Sequence, residues 1–315
     1  MGVSGSLWLR CVLLRAAVLV VASQVNVPEG QCSNGGSSLV PSLLQAAGFS
    51  PSCVTAAIAS CSLDVNQETS FIKEVRETVS QLKESVQESQ MILNRPRHCR
   101  DLLDSGDTSS GIRQVYPFLK HRDASVTVYC EQTVDGGGWT VFQRRRNLTQ
   151  REDFYRTWIE YRLGFGHLEG EFWLGLDILH ELASTALQEL RVDLKDYDGE
   201  HRWAKYGKFY VGPLASFYSI SVDRYTGTAG DGLGDGTHDG HPFSTHDADH
   251  DTDTSSNCAE SFRGAWWYYK CHISNLNGYQ HVGQHDSFAD GINWKHWKGY
   301  HYSLQETTMM IRPAF

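Results

Sequence analysis

Apolar residues recur every three or four positions between residues 65 and 93, and most positions between them are charged or polar. The recurring residues are Val65, Ile72, Val75, Val79, Leu82, Val86 and Leu93. This spacing predicts a helix of about four heptads, which would form a short, self-associating coiled-coil stalk over residues 63–95. Glu68 and Ser89 occupy d positions, so the alternative is an ordinary amphipathic helix that lies on the following domain.

Beyond Pro96, whose ring should end the helix, the pattern changes to short alternating or aromatic runs separated by Gly and Asp turns. Such runs are typical of strands in an antiparallel sheet. The candidate strands are residues 126–129, 139–143, 190–194 and 217–222. Residues 227–242 contain six glycines and are expected to form a loop. The sequence therefore predicts an α+β fold with a central antiparallel sheet.

Residues 1–23 have the composition of a secretory signal peptide. Arg10 and Arg15 precede an apolar run that ends in small residues before Gln24. Arg15 interrupts the apolar stretch, so an uncleaved membrane anchor is the weaker alternative. We therefore expect a secreted, extracellular protein without a membrane span. The sequon at Asn147, Leu148 and Thr149 would then be available for glycosylation.

The charge balance bears on the class of partner. The chain has 28 Lys and Arg against 37 Asp and Glu, a formal net charge of -9 at pH 7. A phosphate backbone would be repelled by this charge unless a local basic patch overcame it. The tight cationic run is limited to Arg144, Arg145 and Arg146. Nucleic acid is therefore not an expected partner.

The cysteine count is odd once the signal peptide is removed. Of eight cysteines, Cys11 lies in the signal peptide, and the other seven are Cys32, Cys53, Cys61, Cys99, Cys130, Cys258 and Cys271. At least one thiol is thus unpaired within an oxidised chain, and it is either buried or part of an interchain bridge. Because a stalk is predicted, we favour a bridge from the N-terminal segment, residues 24–62, and expect a homo-oligomer.

An acidic run carries the first candidate site. Asp247, Asp249, Asp251 and Asp253 alternate with other residues, and carboxylate oxygens at alternate positions are what Ca²⁺ needs to gather its ligands. The spacing imitates the start of an EF-hand but departs from it at Thr252 and Cys258, where that loop requires Gly and Glu. A solvated acidic loop is the alternative.

Histidines and catalytic motifs give weaker signals. His238, His241, His246 and His250 interleave with the aspartates, but their offsets match no standard zinc spacing. His180 and Glu181 begin a metalloprotease-like string that lacks its second ligand, since Ser184 stands there. The sequence has no nucleophile elbow, phosphate-binding loop or C-x-x-C pair. We therefore expect a binding protein that is not an enzyme.

The tract from Cys258 to Cys271 is dense in aromatic residues. Such residues most often belong to a core, which is the simplest interpretation. The cysteines lie 13 positions apart directly after the acidic run, and this placement suggests a stapled loop. A loop of this size would be stabilised by about 3 kcal/mol in the chain-entropy model. It could hold a recessed, aromatic-walled binding site.

Several ordered motifs resemble those of the fibrinogen C-terminal domain family. They are residues 134–141 (VDGGGWTV), 172–175 (FWLG), 243–245 (FST), 257–259 (NCA), 266–268 (WWY), 271–272 (CH) and 291–294 (GINW). The resemblance covers residues 98–315 and implies a fibrinogen-like globular domain with a loop-rich calcium and ligand subdomain. Because a helical stalk replaces a collagen segment, the chain is most similar to the ficolin and tachylectin branch of lectins.

The resemblance implies specific site residues. It implies disulfides Cys99–Cys130 and Cys258–Cys271 and a cis peptide between Lys270 and Cys271. It also implies a Ca²⁺ site with the side chains of Asp249 and Asp251 and carbonyl oxygens near Asp253 and Ser255. The acetyl group of an N-acetylated sugar would accept backbone hydrogen bonds at the Cys271–His272 step. Its methyl group would enter a funnel formed by Phe262, His272, Phe288, Ala289 and Tyr300.

The resemblance thus predicts a calcium-dependent lectin of innate immunity that recognises acetylated glycans on microbial cell surfaces. Tyrosines are common in such sites where Phe262 and Phe288 stand, so recognition should narrow toward the acetyl group itself. Clot-forming relatives grip a cationic peptide with carboxylates at the positions of Phe262 and Ala289, which are apolar here. A receptor-binding ligand of the angiopoietin type is the other alternative.

Overall fold

The computed structural model describes residues 65–121 and 123–314, with the backbone alone for residues 65–71. The predicted signal peptide and the segment 24–62 with its three cysteines lie outside the described residues. The chain divides into two compact units, with the boundary between Glu88 and Ser89. No helix in the described ranges is long and apolar enough to cross a membrane.

Helix α1 spans Val65–Leu93, in agreement with the heptad pattern, and ends three residues before Pro96. The heptad residues from Ile72 to Leu93 face solvent, with exposed fractions from 40% at Ile72 to 62% at Leu93. A stripe of β-branched and leucine side chains this exposed is typical of a helix that associates with another helix. Self-association through α1 remains a prediction.

The second unit is built around one antiparallel sheet. Its strands are β1 (Gly111–Val115), β2 (Val126–Glu131), β3 (Trp139–Arg145), β4 (Phe165–Gly166), β5 (Phe172–Trp173), β6 (Gln188–Lys195), β7 (His201–Val211), β8 (Ile220–Gly227) and β13 (Glu306–Pro313). The main order is β1-β2-β3-β13-β6-β7-β8, and the β4–β5 hairpin pairs with β3 beside β2. The predicted antiparallel sheet of an α+β fold is therefore confirmed.

The four predicted strands are present with different ends. Three of them extend by one or two residues beyond the predicted range at one or both ends. The fourth was predicted to begin at Phe217, but Phe217 has a left-handed backbone (φ 49°) in a turn, and the strand begins at Ile220. Sequence reasoning missed β7 and β13 entirely.

The second unit also contains short helices. They are α2 (Cys99–Asp104), α3 (Trp158–Leu163) and α4 (Leu176–Ser184). Helix α4 turns a buried apolar stripe to β7. The Cys99–Cys130 disulfide joins α2 to β2, as the resemblance implies. The core beneath holds close aromatic pairs, including Phe142 and Trp173, whose ring centroids lie 5.8 Å apart.

Residues 228–305 form a loop region with little regular structure. Its elements are α5 (Cys258–Ser261), β9 (Ser274–Asn275), β10 (Gly283–Gln284), β11 (Asn293–Trp294), α6 (Lys295–Lys298) and β12 (Tyr302–Ser303). The chain passes very close to itself here, since a Cβ atom on Gly278 would lie 2.2 Å from the carbonyl oxygen of Gly291. The loop region carries every predicted calcium and acetyl-site residue.

Candidate functional site

The acidic run divides into one structural residue and a connected group of three. Asp247 accepts hydrogen bonds from the backbone N–H of Trp158 (2.9 Å) and from the hydroxyl of Thr245 (2.7 Å). The next three aspartates link in series, because Asp249 accepts from the Asp251 amide and Asp251 accepts from the Asp253 amide. Asp247 therefore anchors helix α3, and the other three form a continuous acidic turn.

This turn is connected to the second disulfide. The Asp251 carboxylate accepts from the backbone N–H of Cys258 at 2.8 Å, and Cys258 is bonded to Cys271. An Asp253 carboxylate oxygen lies within 4.8 Å of both sulfur atoms. Thr252 adds a second connection, since its amide and hydroxyl both donate to the carbonyl of Tyr269. These hydrogen bonds and the disulfide therefore connect the acidic turn directly to residues 269–271.

The charges of the turn suit a hard cation. Burial raises the pKa of the Asp251 carboxyl, and the adjacent Asp249 carboxylate raises it further by repulsion. Hydrogen bonds from Ser255 lower the pKa of Asp253. Neighbouring carboxylates that repel each other are stabilised by a divalent cation, and oxygen donors are what Ca²⁺ prefers. The donor set therefore fits calcium, and Asp249 and Asp251 are the side chains that could hold it.

The predicted funnel residues do come together. The His272 ring lies edge to face with Phe262 at 4.8 Å and with Tyr300 at 5.8 Å between centroids. Phe288 packs on Tyr300 at 5.1 Å. His272 and Ala289 are buried, with exposed fractions of 7% and 1%, whereas Phe288 is 60% exposed. The five residues form a cluster, here named the cleft, with a buried base and an exposed aromatic rim.

Backbone donors lie at the base of this cleft. The Lys270–Cys271 peptide is cis, as the resemblance implies. Within residues 65–121 and 123–314, no acceptor pairs with the backbone N–H of Cys271 or of His272. The Tyr300 hydroxyl donates to the His272 carbonyl at 2.9 Å, which fixes this segment from the other side. Two free amides beside an aromatic cleft are suited to a small carbonyl ligand.

The His272 imidazole ring is an uncharged part of the cleft. Burial, together with the smaller effect of the nearby His238, lowers its pKa to about 3. Neither ring nitrogen has a hydrogen-bond partner in the described part of the chain. The ring is therefore neutral at physiological pH, and the cleft has no positive charge at its base.

Two buried residues beneath the cleft were not predicted as site residues. His238 donates through Nδ1 to the carbonyl of Trp267, and its Nε2 accepts from the amides of Ile273 and Ser274. Asn275 accepts from the Tyr268 hydroxyl and donates to the carbonyl of Phe262. Both side chains are fully buried and position the segment after Cys271. A polar side chain inside a glycine- and aromatic-rich tract is the signal that could have identified them.

The other interleaved histidines have separate partners. His241 packs on Tyr269, His246 stacks on Tyr155, and His250 stacks on Phe217 and pairs with the Phe243 carbonyl. These contacts hold the rings apart, in agreement with the weak zinc signal of their spacing. Asn147, the predicted glycosylation site, is exposed.

The remaining charged candidates do not enter the cleft. Arg144 and Arg145 of the cationic run are buried, stacking on Tyr129 and Phe154, so the run presents no basic patch. Asp290 follows Ala289 but pairs with His281 and Ser287. No carboxylate stands at Phe262 or Ala289 to hold an ammonium group.

Comparisons with known proteins agree with this architecture. The sequence is 41% identical over 259 residues to techylectin-5A of Tachypleus tridentatus, which covers 80% of this chain and 88% of that protein. It is 47% identical over 225 residues to fibrinogen C domain-containing protein 1-B of Xenopus laevis. This alignment covers 70% of this chain but 48% of that protein. The chain thus spans about half the length of the Xenopus relative.

Among solved structures, the fibrinogen-like globe domain of human ANGPTL2 superposes with a TM-score of 0.66 at 38% identity, covering 70% of this chain and all of that chain. Residues 95–314 match the family described as fibrinogen beta and gamma chains, C-terminal globular domain. The match spans more than half of the chain and includes the sheet, the acidic turn and the cleft. This protein therefore belongs to the fibrinogen C-terminal domain family.

Proposed function

We propose that this protein is a secreted, calcium-dependent lectin that binds the acetyl groups of N-acetylated glycans. The observation that carries the proposal is the pair of unpartnered amides at Cys271 and His272 beside the cleft of Phe262, Phe288 and Tyr300. The likeness to techylectin-5A, whose name describes a lectin, supports the same function.

The chemistry of the cleft matches an acetyl group in two respects. A methyl group gains by leaving water for an aromatic surface, at roughly 25 cal/mol per Å² of apolar area. A carbonyl oxygen needs donors once it is desolvated, and the two backbone amides supply them in a fixed direction. An ammonium group would be buried without a carboxylate partner, which disfavours the peptide-amine alternative.

Calcium would act on the cleft from a distance. Asp249 and Asp251 would hold the ion, with carbonyl oxygens near Asp253 and Ser255 completing its ligands. The bound ion supplies positive charge that offsets the repulsion between the carboxylates. The hydrogen bond from Cys258 to Asp251 and the disulfide to Cys271 would then keep the two amides in place.

A binding assay with matched ligands tests the acetyl proposal. Immobilised N-acetylglucosamine should retain the protein in calcium, and immobilised glucosamine, which lacks only the acetyl group, should not. Phe288→Ala should weaken retention about five- to tenfold, which corresponds to roughly 1 kcal/mol of lost apolar contact. Leu187→Ala, a substitution of a similarly exposed apolar residue far from the cleft in sequence, is the control. Equal retention on both matrices would reject acetyl recognition.

A second experiment tests the calcium site. Asp249→Asn or a chelator should abolish retention on the acetylated matrix, since the amides would lose their support. Asp235→Asn, which removes the charge of an exposed aspartate outside the acidic turn, should bind normally. Full binding by Asp249→Asn would show that the carboxylate is not needed.

Oligomerisation would provide the avidity that a shallow site lacks. One such site would bind at about 1 mM, or near -4 kcal/mol. Linked sites could raise the avidity by about 10² to 10⁴ if several reach the same surface. We propose that α1 and the cysteines at 32, 53 and 61 form this homo-oligomer. Deletion of residues 65–93 should preserve binding by the monomer and end agglutination of microbial cells.

The likeness to the ANGPTL2 domain favours a second candidate, a ligand for a protein receptor. In that case the protein would contact its partner through the domain surface and the cleft would have no ligand. Absence of any acetylated ligand on a glycan array, with calcium present and the fold intact, would favour this candidate over the lectin.

A further inference from the structure

Three metal-ligating side chains meet beside the cleft, outside the acidic turn. The Nε2 atom of His281 lies 3.0 Å from Oδ1 of Asp290, and Nδ1 of His285 lies 3.8 Å from the same oxygen. The two imidazole rings stack at 4.0 Å between centroids with planes 17° apart. The donor atoms of these three side chains all lie within 4.8 Å of one another, which is close enough for them to hold one cation together.

A fourth donor completes the group. The Ser287 hydroxyl oxygen lies 2.6 Å from Oδ1 of Asp290, 3.0 Å from Nδ1 of His285 and 3.3 Å from Nε2 of His281. Zinc ligands at about 2.0 Å in a tetrahedron are about 3.3 Å from one another. The five separations given above, from 2.6 to 3.8 Å, bracket this value, and the donor atoms of the two histidines and Asp290 all lie within 4.8 Å of one another.

The backbone already holds these residues in place. Tyr279 donates its amide to the Asp290 carbonyl at 2.8 Å, and His285 donates its amide to the His301 carbonyl at 2.9 Å. The side chains of His285 and Asp290 are 6% and 12% exposed, while that of His281 is 21% exposed. An ion could therefore enter from the side of His281 and Ser287 without rearrangement of the chain.

We propose that His281, His285 and Asp290 form a second metal site, which takes a borderline divalent transition metal such as Zn²⁺. The Ser287 hydroxyl or a water molecule supplies the fourth ligand. Two imidazoles and one carboxylate select such metals over Ca²⁺, because calcium prefers an all-oxygen ligand set. The site is distinct from the acidic turn, which offers oxygen donors, and it does not depend on glycan binding.

The test titrates the full-length protein with Zn²⁺ by calorimetry, with calcium in excess and no sugar. Wild type should bind one more zinc ion per chain than His281→Ala does, or should bind that ion more than about 100-fold more tightly. Removal of a supporting residue typically weakens metal affinity 10- to 100-fold, and removal of a direct ligand should weaken it more. His167→Ala removes an exposed histidine elsewhere and should bind as wild type does.

Cobalt provides a spectroscopic measurement of the same site. Co²⁺ in a four-coordinate site of nitrogen and oxygen ligands should give visible absorption bands in wild type and in His167→Ala, and these should be absent in His281→Ala. Near-ultraviolet circular dichroism confirms that each variant is folded. His281 is partly exposed, so its replacement avoids the packing risk of Asp290→Asn.

The outcomes separate this site from the proposed lectin function. Loss of zinc binding in His281→Ala with normal retention on N-acetylglucosamine supports two independent sites. Superposition of the wild-type and His281→Ala isotherms would overturn the zinc site without bearing on the lectin. Displacement of zinc by a modest excess of calcium would also overturn it, because that behaviour indicates an all-oxygen site.

Discussion

The sheet and the loop region both contain fully buried side chains but are held together by different interactions. In the sheet, backbone ladders satisfy the polar groups, and apolar residues such as Leu190, Val192 and Phe209 fill the core. The loop region has few ladders. Its fully buried polar side chains include His238, Ser274, Asn275, Asn277 and Asn293.

These polar side chains replace the missing ladders. Asn277 donates to the Ala265 carbonyl, and Asn293 donates to the carbonyls of Tyr300 and Tyr302. A buried backbone carbonyl without a partner costs about 1–3 kcal/mol, so each such side chain has a large effect on stability. The comparison teaches that a binding site built from loops depends on individual polar contacts, whereas the sheet depends on packing.

The largest expected effect concerns Arg312, one of the buried cations that are exceptions within the apolar sheet region. Arg312 lies 4.0 Å from the Trp139 ring centre, pairs with Glu189 and donates to two backbone carbonyls. Arg312→Ala should lower the free energy of unfolding by about 3–5 kcal/mol, because Glu189 would lose its principal partner in a buried site. Urea unfolding measures the change, with the exposed Arg146→Ala as control. A loss below about 1 kcal/mol would contradict this account.

The next effect concerns pH and the loop region. Burial lowers the pKa of His238 to about 4, below the ordinary value of 6.5 expected in the unfolded chain. The unfolded state therefore binds the proton first, and stability falls as the pH drops from about 6.5 to about 4. The loss should approach about 3 kcal/mol. His238→Gln should remove this contribution in urea unfolding at constant calcium and leave that of His272, whose pKa is also lowered by burial. An unchanged pH dependence would exclude His238 as its source.

A smaller effect is expected from the loss of one polar contact in the loop region, and a still smaller one from the loss of one apolar contact in the sheet. Asn275→Ala should cost about 2 kcal/mol, since the Tyr268 hydroxyl and the Phe262 carbonyl would lose their partner. Ile220→Val in the sheet should cost about 1 kcal/mol. Thermal unfolding measures both. If the sheet substitution cost more than the loop substitution, the contrast between the two regions would fail.

The smallest effect concerns the helix that borders both regions. Thr157 caps α3, and its amide and hydroxyl hydrogen bonds to Glu160 lower the pKa of that carboxyl to about 2. Thr157→Ala should cost about 1 kcal/mol through loss of the cap. Thr157→Ser retains the hydroxyl and should cost much less. Equal losses for the two variants would point to packing of the threonine methyl group instead.

The elements that sequence reasoning found are those with a clear period. The heptads of α1 and the short alternating or aromatic runs of β2, β3 and β6 follow the simple patterns of helix and strand. β7 was missed because its buried positions change phase. Ala204 and Tyr206 point inward, and then Phe209 and Val211 do, opposite an irregularity in β6. β13 was missed because a bulge between Met309 and Met310 interrupts its alternation.

The residues of the candidate site were predictable from the sequence to about the same extent as the elements of the fold. The family motifs identified the acidic run and the cleft residues, which the structure brings together. The role of His238 depends on a contact with residues 35 and 36 positions away, which no local pattern encodes. The grouping of His281, His285 and Asp290 depends on the paths of residues 279–301, which have little regular structure. Local periodicity therefore cannot locate such groups.

The position of β13 has a consequence for biosynthesis. β13 lies between β3 and β6, so among the strands of residues 65–121 and 123–314 it alone joins the two halves of the sheet. During translation, β3 and β6 leave the ribosome well before residues 306–313 and expose unpaired edges until then. Nascent chains arrested before residue 306 should therefore recruit chaperones, and cooperative folding should begin only when β13 has emerged.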